Sequence, residues 1–150
     1  MKKSLVALGV AALSTGAMAQ NLFSNGSFES DQLGSSSFRT TYAGQTTLTG
    51  WTVGVGSIDL VNGAVAPNDA WRAADGNMSI DLSGDSAGSI GQTVQLEAGS
   101  SYTLSYMLAG NTNRASPSPV TKYMNVYVGD TLLTADSFDN TGKTYISKYR

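Results

Sequence analysis

The feature that most constrains this chain is an apolar/polar alternation of period two, interrupted every few residues by Gly, Asn or Asp. Such alternation places successive side chains on opposite faces of an extended strand, whereas a helix needs an apolar stripe recurring every three to four residues. The clearest instance is Tyr102 to Ala109, where Tyr102, Leu104, Tyr106 and Leu108 share one face. Before it, Ser89 to Leu96 aligns Ile90, Gln92, Val94 and Leu96. The intervening Glu97-Ala98-Gly99-Ser100-Ser101 predicts that the two runs form a hairpin, with Tyr102 and Tyr106 in the core. Val120 to Val128 alternates again, with Met124, Val126 and Val128 opposed to Tyr123, Asn125 and Tyr127. Shorter strands are expected within Gly50–Val55, Ser57–Val61 and Met78–Leu82. Residues 31–47 are rich in Ser, Thr and Gly and read as a long connection. Gly110 to Pro119 reads as a surface loop, because Pro117 and Pro119 cannot take part in a regular ladder. No helical stripe follows the first twenty residues. The expectation is one all-β domain, a β-sandwich or jelly roll.

The N-terminus stands apart from this pattern. Lys2 and Lys3 precede an apolar run from Leu5 to Leu13, and Ala17-Met18-Ala19 supplies small residues at a cleavage site. This three-part pattern predicts a signal peptide over residues 1–19 and a secreted or cell-surface protein. The run is shorter than the roughly 20 residues that span a bilayer, and no second long apolar stretch follows. The mature chain is therefore expected to hold no membrane span.

Composition narrows the chemistry. The 150 residues include neither Cys nor His, and the net charge is −2. Without Cys there is no disulfide framework or thiolate nucleophile. Without His there is no imidazole base and no Ser-His-Asp triad. A slightly acidic chain has no electrostatic footprint for nucleic acid. Gly84-Asp85-Ser86-Ala87-Gly88 matches the G-x-S-x-G pattern of serine hydrolases. That pattern needs a strand before it, a helix after it and a base for the hydroxyl. Here a strand-like run follows and no His exists, so the segment reads as a turn. The carboxylates of Asp59, Asp69, Asp75, Asp81 and Asp85 lie near turns or strand ends, where Asp serves local hydrogen bonding. No glycosidase pair can be placed among them, and the chain is read as not an enzyme.

Binding residues are sought among the aromatics. A sugar site offers aromatic faces to the ring C–H groups and amides, hydroxyls or carboxylates to the hydroxyls. Trp51 reads as packing. If the Met124/Val126/Val128 face is buried, Tyr123, Asn125 and Tyr127 form an outward patch, with the ordinary strand preference of Tyr as the plain alternative. Trp71, Asp75 and Asn77 lie in a loop region and are candidates for a rim.

Several segments also stand in a recognisable order. Asn21-Leu22 and Asn25-Gly26-Ser27-Phe28-Glu29 are followed by Gly50-Trp51-Thr52-Val53 and Ser57-Ile58-Asp59-Leu60-Val61. Then come Trp71, Asp75-Gly76-Asn77, Ser79-Ile80-Asp81-Leu82, Gln92-Thr93 and Tyr102-Thr103-Leu104-Ser105. In this order the chain resembles the bacterial choice-of-anchor C family, which is related to a domain of unknown function in plant cell-wall proteins. The resemblance implies a galactose-binding-like jelly roll, secreted and non-catalytic, whose partner is a polysaccharide or cell-wall glycan. A structural or adhesive surface protein without sugar affinity is the alternative it leaves. It also implies further strands and an anchor beyond Arg150, so the chain is expected to lack its last strands. By analogy with related sugar-binding jelly rolls, Glu29 is the candidate ligand of a structural calcium.

Overall fold

A computed structural model describes residues 20–65, 71–110, 121–139 and 146–149. The expected signal peptide (1–19) and most of the expected loop 110–119 lie outside the described residues. All regular structure among the described residues is β, in nine strands. These are β1 (Phe38–Tyr42), β2 (Thr52–Val53), β3 (Ser57–Asn62), β4 (Met78–Asp81), β5 (Ile90–Gly91), β6 (Met107–Gly110), β7 (Thr121–Val128), β8 (Thr131–Asp139) and β9 (Ile146–Tyr149). Every pairing is antiparallel: β1-β3-β4 form a three-stranded sheet, and β2-β5, β6-β9 and β7-β8 pair in twos. The fold is the all-β class expected, built of antiparallel sheets as in a β-sandwich.

β3 is the centre of the molecule. Its pattern Ser-Ile-Asp-Leu-Val-Asn is buried at every position but Asp59, because both faces are covered. One face carries Ile58 and Leu60 into a cluster with Leu48, Val53 and Met78, against which Phe28, Leu33, Trp51, Ile80, Leu82 and Ile90 pack. Fully burying aliphatic side chains of this size contributes about 1.5–3 kcal/mol each. The other face of β3 meets the turn between β4 and β5. There Ser57 is fully buried, its hydroxyl accepts from the Ser86 amide at 3.1 Å, and its carbonyl accepts from Gly84 at 3.3 Å. The G-x-S-x-G segment is thus a turn wrapped onto β3, closed by the Gly88 amide on the Leu82 carbonyl at 2.7 Å. A Cβ on Gly88 would collide with the Ser57 carbonyl, which is why Gly stands there.

Three expectations are corrected. The hairpin of Ser89–Leu96 with Tyr102–Ala109 does not form: β5 pairs with β2, β6 pairs with β9, and no residue from 92 to 106 lies in a strand. The turn between them does form, with the Ser100 amide on the Glu97 carbonyl and Gly99 at φ 78°. Alternation alone selected the strands. Ile90 is drawn instead to the core beside Val53, and Gln92 is drawn to backbone groups of the N-terminal segment. Tyr102 is consequently 47% exposed rather than core; its hydroxyl accepts the Glu97 amide at 2.7 Å. Tyr106 is half-buried and donates to Asp136 at 2.7 Å, tying this segment to β8. Third, the connection 31–47 contains β1. Its Phe-Arg-Thr-Thr-Tyr sequence has no apolar alternation, yet Thr41 is fully buried, its hydroxyl satisfied by Thr47 at 3.2 Å.

Candidate functional site

β7 and β8 form the longest pairing of the molecule, from Thr121↔Asp139 to Val128↔Thr131. The alternation of β7 holds as far as Val126: Met124 and Val126 are half-buried and Tyr123 is 80% exposed, but beyond the register shift both Tyr127, at 54%, and Val128, at 53%, are exposed, so Val128 does not join the covered face expected for it. Asn125 lies exposed between them and donates an amide hydrogen to the Tyr127 hydroxyl at 3.3 Å. Directly across the ladder stand Ser137 opposite Tyr123 and Ala135 opposite Asn125. Both are small, so the Tyr123 ring rises above its neighbour strand. A register shift between Val126 and Tyr127 brings two consecutive residues, Leu132 and Leu133, to that end of the hairpin, 50% and 53% exposed. The result is one strip of two aromatic rings, a carboxamide, a serine and a leucine pair. Its polar side chains are uncharged, with Asp139 at one end and Asp130, in the turn, at the other. The opposite face of the hairpin carries Asp136, 5% exposed and bonded to Tyr106.

The other three candidates lie in the connection from β3 to β4. Trp71 is half-buried, edge-on to Phe38 at 6.3 Å, and its indole N–H is enclosed with no hydrogen-bond partner among the described residues. Its backbone carbonyl packs so closely on Gly63 that a Cβ there would approach it to 2.7 Å. Asp75 is exposed. Asn77 is exposed too, but its backbone is committed: its carbonyl accepts from Gly63 at 2.8 Å and its amide donates to Glu29 at 2.8 Å. The structure thus divides the six candidates between β7 and the β3–β4 connection, with Tyr123, Asn125 and Tyr127 adjoining one another.

Glu29 has a different surrounding from that of a metal ligand. One oxygen, Oε1, takes the backbone amides of both Asn77 and Met78, at 2.8 and 2.6 Å. Gly76, at φ 65°, lies against the same carboxylate, where a Cβ would come within 2.5 Å of it. Calcium asks for six to eight oxygens, and no group of three acidic side chains among the described residues fits a metal ion. In the structure Glu29 Oε1 is taken up by backbone amides, and the carboxylate forms a clamp between the N-terminal segment and the start of β4.

The neighbouring motif residues act likewise. Asp31 accepts from the Asn25 carboxamide at 2.9 Å and from the Thr49 amide and hydroxyl at 3.0 and 2.8 Å. Trp51 donates to the Asn25 carbonyl at 3.0 Å and lies between Phe23 and Phe28, each with ring centroids 5.5 Å away. Gln92 accepts the Ser24 amide at 2.7 Å and donates to the Ser24 and Gly50 carbonyls at 2.9 and 2.6 Å.

Sequence reasoning passed over one further constellation. Thr40, Asp59 and Asp81 are direct cross-strand partners on the outer face of β1-β3-β4. Thr40 donates to Asp59 at 2.7 Å, and Tyr42 donates to Asp85 on the adjoining turn at 2.5 Å. Burial, followed by Asp81 and Asp85, pushes the Asp59 carboxyl above the usual carboxylate range, against the lowering effect of the Thr40 hydrogen bond. The hydrogen bond to Asp85 raises the Tyr42 phenol above its ordinary value. Only the pairing register brings these residues together, so no contiguous motif signals them.

The DUF642 family, described as a protein family of unknown function, matches residues 21–147. The chain belongs to the DUF642 family. This is the cell-wall-associated domain family to which the resemblance pointed as a relative. This DUF642 chain is also similar to halomucin of Haloquadratum walsbyi, with 41% identity over 102 residues. The likeness covers 65% of this chain and 1% of that protein, so the chain spans a very small part of its relative. No solved structure matches it.

Proposed function

We propose that this DUF642 chain is a secreted, non-catalytic carbohydrate-binding module working at the cell surface or in the extracellular matrix. The observation that carries the reading is the outward strip Tyr123, Asn125 and Tyr127 on β7. Exposed aromatic faces beside a carboxamide suit a ligand with apolar C–H faces and many hydroxyls. The likeness to a segment amounting to 1% of halomucin supports a modular unit used within larger surface proteins. Export through residues 1–19, membership of the choice-of-anchor C group and a cell-wall glycan as partner belong to the same reading. The test is retention of the folded chain on a panel of insoluble cell-wall polysaccharides and exopolysaccharides. Retention on at least one of them, lost when Tyr123 and Tyr127 are both replaced by Ala, is the expected result. The absence of retention on any of them, with the chain folded, would overturn the reading in favour of a structural or adhesive protein.

A further inference from the structure

The strip on β7 also defines the form of its ligand. Tyr123 and Tyr127 lie four residues apart on one face of one strand. At about 3.3 Å per residue, their rings are anchored about 13 Å apart. A single pyranose ring cannot stack on both. A chain that lies along the strand can, with Asn125 between the two contacts. The carboxamide has one hydrogen committed to the Tyr127 hydroxyl, which leaves its carbonyl and a second N–H directed to donor and acceptor hydroxyls. Ser137 and Ala135 border this track as small side chains, so nothing on β8 blocks a chain seated beside the Tyr123 ring. Leu132 and Leu133 extend the apolar floor past Tyr127.

Charge sets the second condition. Among the described residues between Tyr123 and Leu133 the track presents no cationic side chain: Lys122 is on the other face by the alternation of β7, and Asp130 and Asp139 stand at its two ends. A uronate- or sulfate-bearing chain would meet no counter-charge from the described residues of this track. We infer that the β7–β8 face binds an extended, unbranched, neutral oligosaccharide that bridges Tyr123 and Tyr127, and that it discriminates against single sugars and acidic chains. This rests on the carbohydrate-binding reading and deepens it.

Bridging makes the second stacking contact intramolecular, so affinity rises with chain length until both rings are covered and then levels off. The experiment is calorimetric titration of the full chain with neutral gluco-, manno- and xylo-oligosaccharides, each from the monosaccharide to the hexasaccharide, and with oligogalacturonate. In at least one neutral series the hexasaccharide is expected to bind at least about tenfold tighter than the monosaccharide, a typical effect of one well-placed aromatic anchor. Oligogalacturonate of equal length is expected to bind more weakly. Tyr123→Ala and Tyr127→Ala each remove the length-dependent gain; both side chains are largely solvent-exposed, and an unchanged melting temperature verifies the fold. Equal affinity for monosaccharide and hexasaccharide, or tighter binding of the acidic chain, overturns the inference while leaving a carbohydrate module standing. So does binding that both Tyr variants leave intact. A change of sedimentation in the Tyr variants with no effect on sugar titration assigns the strip to a second copy of the chain and overturns it as well. If no sugar of any length titrates and no polysaccharide retains the chain, it is the underlying reading that fails.

Discussion

The clamp at Glu29 allows a calculation. Its Oε1 receives two backbone hydrogens from residues 48 and 49 positions along the chain. Hydrogen bonds to a charged group contribute about 1.5–3 kcal/mol each. The Asn77 bond is exposed and the Met78 bond part-buried, which favours the lower end. Glu29→Ala is therefore expected to cost about 3–4 kcal/mol. Glu29→Gln keeps a carbonyl oxygen at the acceptor position and loses the charge, so about 1 kcal/mol is expected. For a chain of this size each kcal/mol moves the melting temperature by about 4 °C. Gly76 supplies the internal control. Gly76→Ala meets a left-handed backbone penalty of about 1–2 kcal/mol and also displaces the carboxylate, which a Cβ would approach to 2.5 Å. In the Glu29→Ala background only the backbone penalty remains. The two changes should thus cost less together than their sum, by at least about 1 kcal/mol. Urea unfolding of the four proteins closes this cycle. Additive costs, or a Glu29→Ala change within about 0.5 kcal/mol of the parent, the usual range of an uninvolved surface residue, would refute the clamp. A parent melting temperature that falls with chelator and recovers with calcium would refute it in favour of a metal at this position.

Asp59 has its carboxyl raised chiefly by burial, so the folded chain holds that proton more tightly than the unfolded one. Its contribution to stability is complete below the unfolded value and is lost as pH rises through the folded one. Asp59→Asn should then reduce the gain in urea midpoint that the parent shows, relative to the variant, on acidification from neutral pH into the carboxylate range. Tyr42 should ionise at higher pH than a free tyrosine, and Asp85→Asn should bring it back toward 10.0, read as tyrosinate absorbance in an alkaline titration. Trp51→Phe should cost about 1 kcal/mol for the lost bond to the Asn25 carbonyl, and Trp51→Ala about 3–5 kcal/mol, both by urea unfolding. Gly56→Ala should prevent stable folding, judged by loss of the β-type circular dichroism, because φ is 56° and the new Cβ would collide with the Ala87 carbonyl.

Where burial and alternation coincide, the strands were readable in advance. Ser57–Val61, Met78–Leu82 and Val120–Val128 became β3, β4 and β7 within one or two residues, because each puts one apolar set toward a covered face. β1 was hidden because its buried position is a threonine whose hydroxyl is satisfied by another threonine, which a hydropathy pattern cannot register. The expected hairpin after Ser89 failed for the opposite reason. Its alternation was good, but pairing partners are chosen by tertiary packing, and Ile90 had a better place against the core. The Tyr123/Asn125/Tyr127 strip was legible since it needs only one strand with one covered face. The Thr40/Asp59/Asp81/Asp85 group was not, as it depends on the register of three strands. The residues that carry the family likeness, among them Asn25, Glu29, Trp51, Gly76 and Gln92, turn out to fasten loops to the core. A likeness founded on them identifies how the chain is tied together more directly than what it binds.

The Gln92 carboxamide has a consequence for the order in which the molecule is made. It pairs with the amide and carbonyl of Ser24 as a neighbouring backbone would, across 68 residues of sequence. The other anchors of the opening segment, Thr49, Trp51, Asn77 and Met78, also lie downstream of it. A ribosome delivers the opening segment first and its partners later. Contacts between distant positions form slowly even in a complete chain. The segment from Ser24 to Asp31 can therefore meet Thr49 and Trp51 early, but its docking is complete only once Asn77, Met78 and Gln92 have been made. Until then Ser24 lacks the side chain that closes it onto the core.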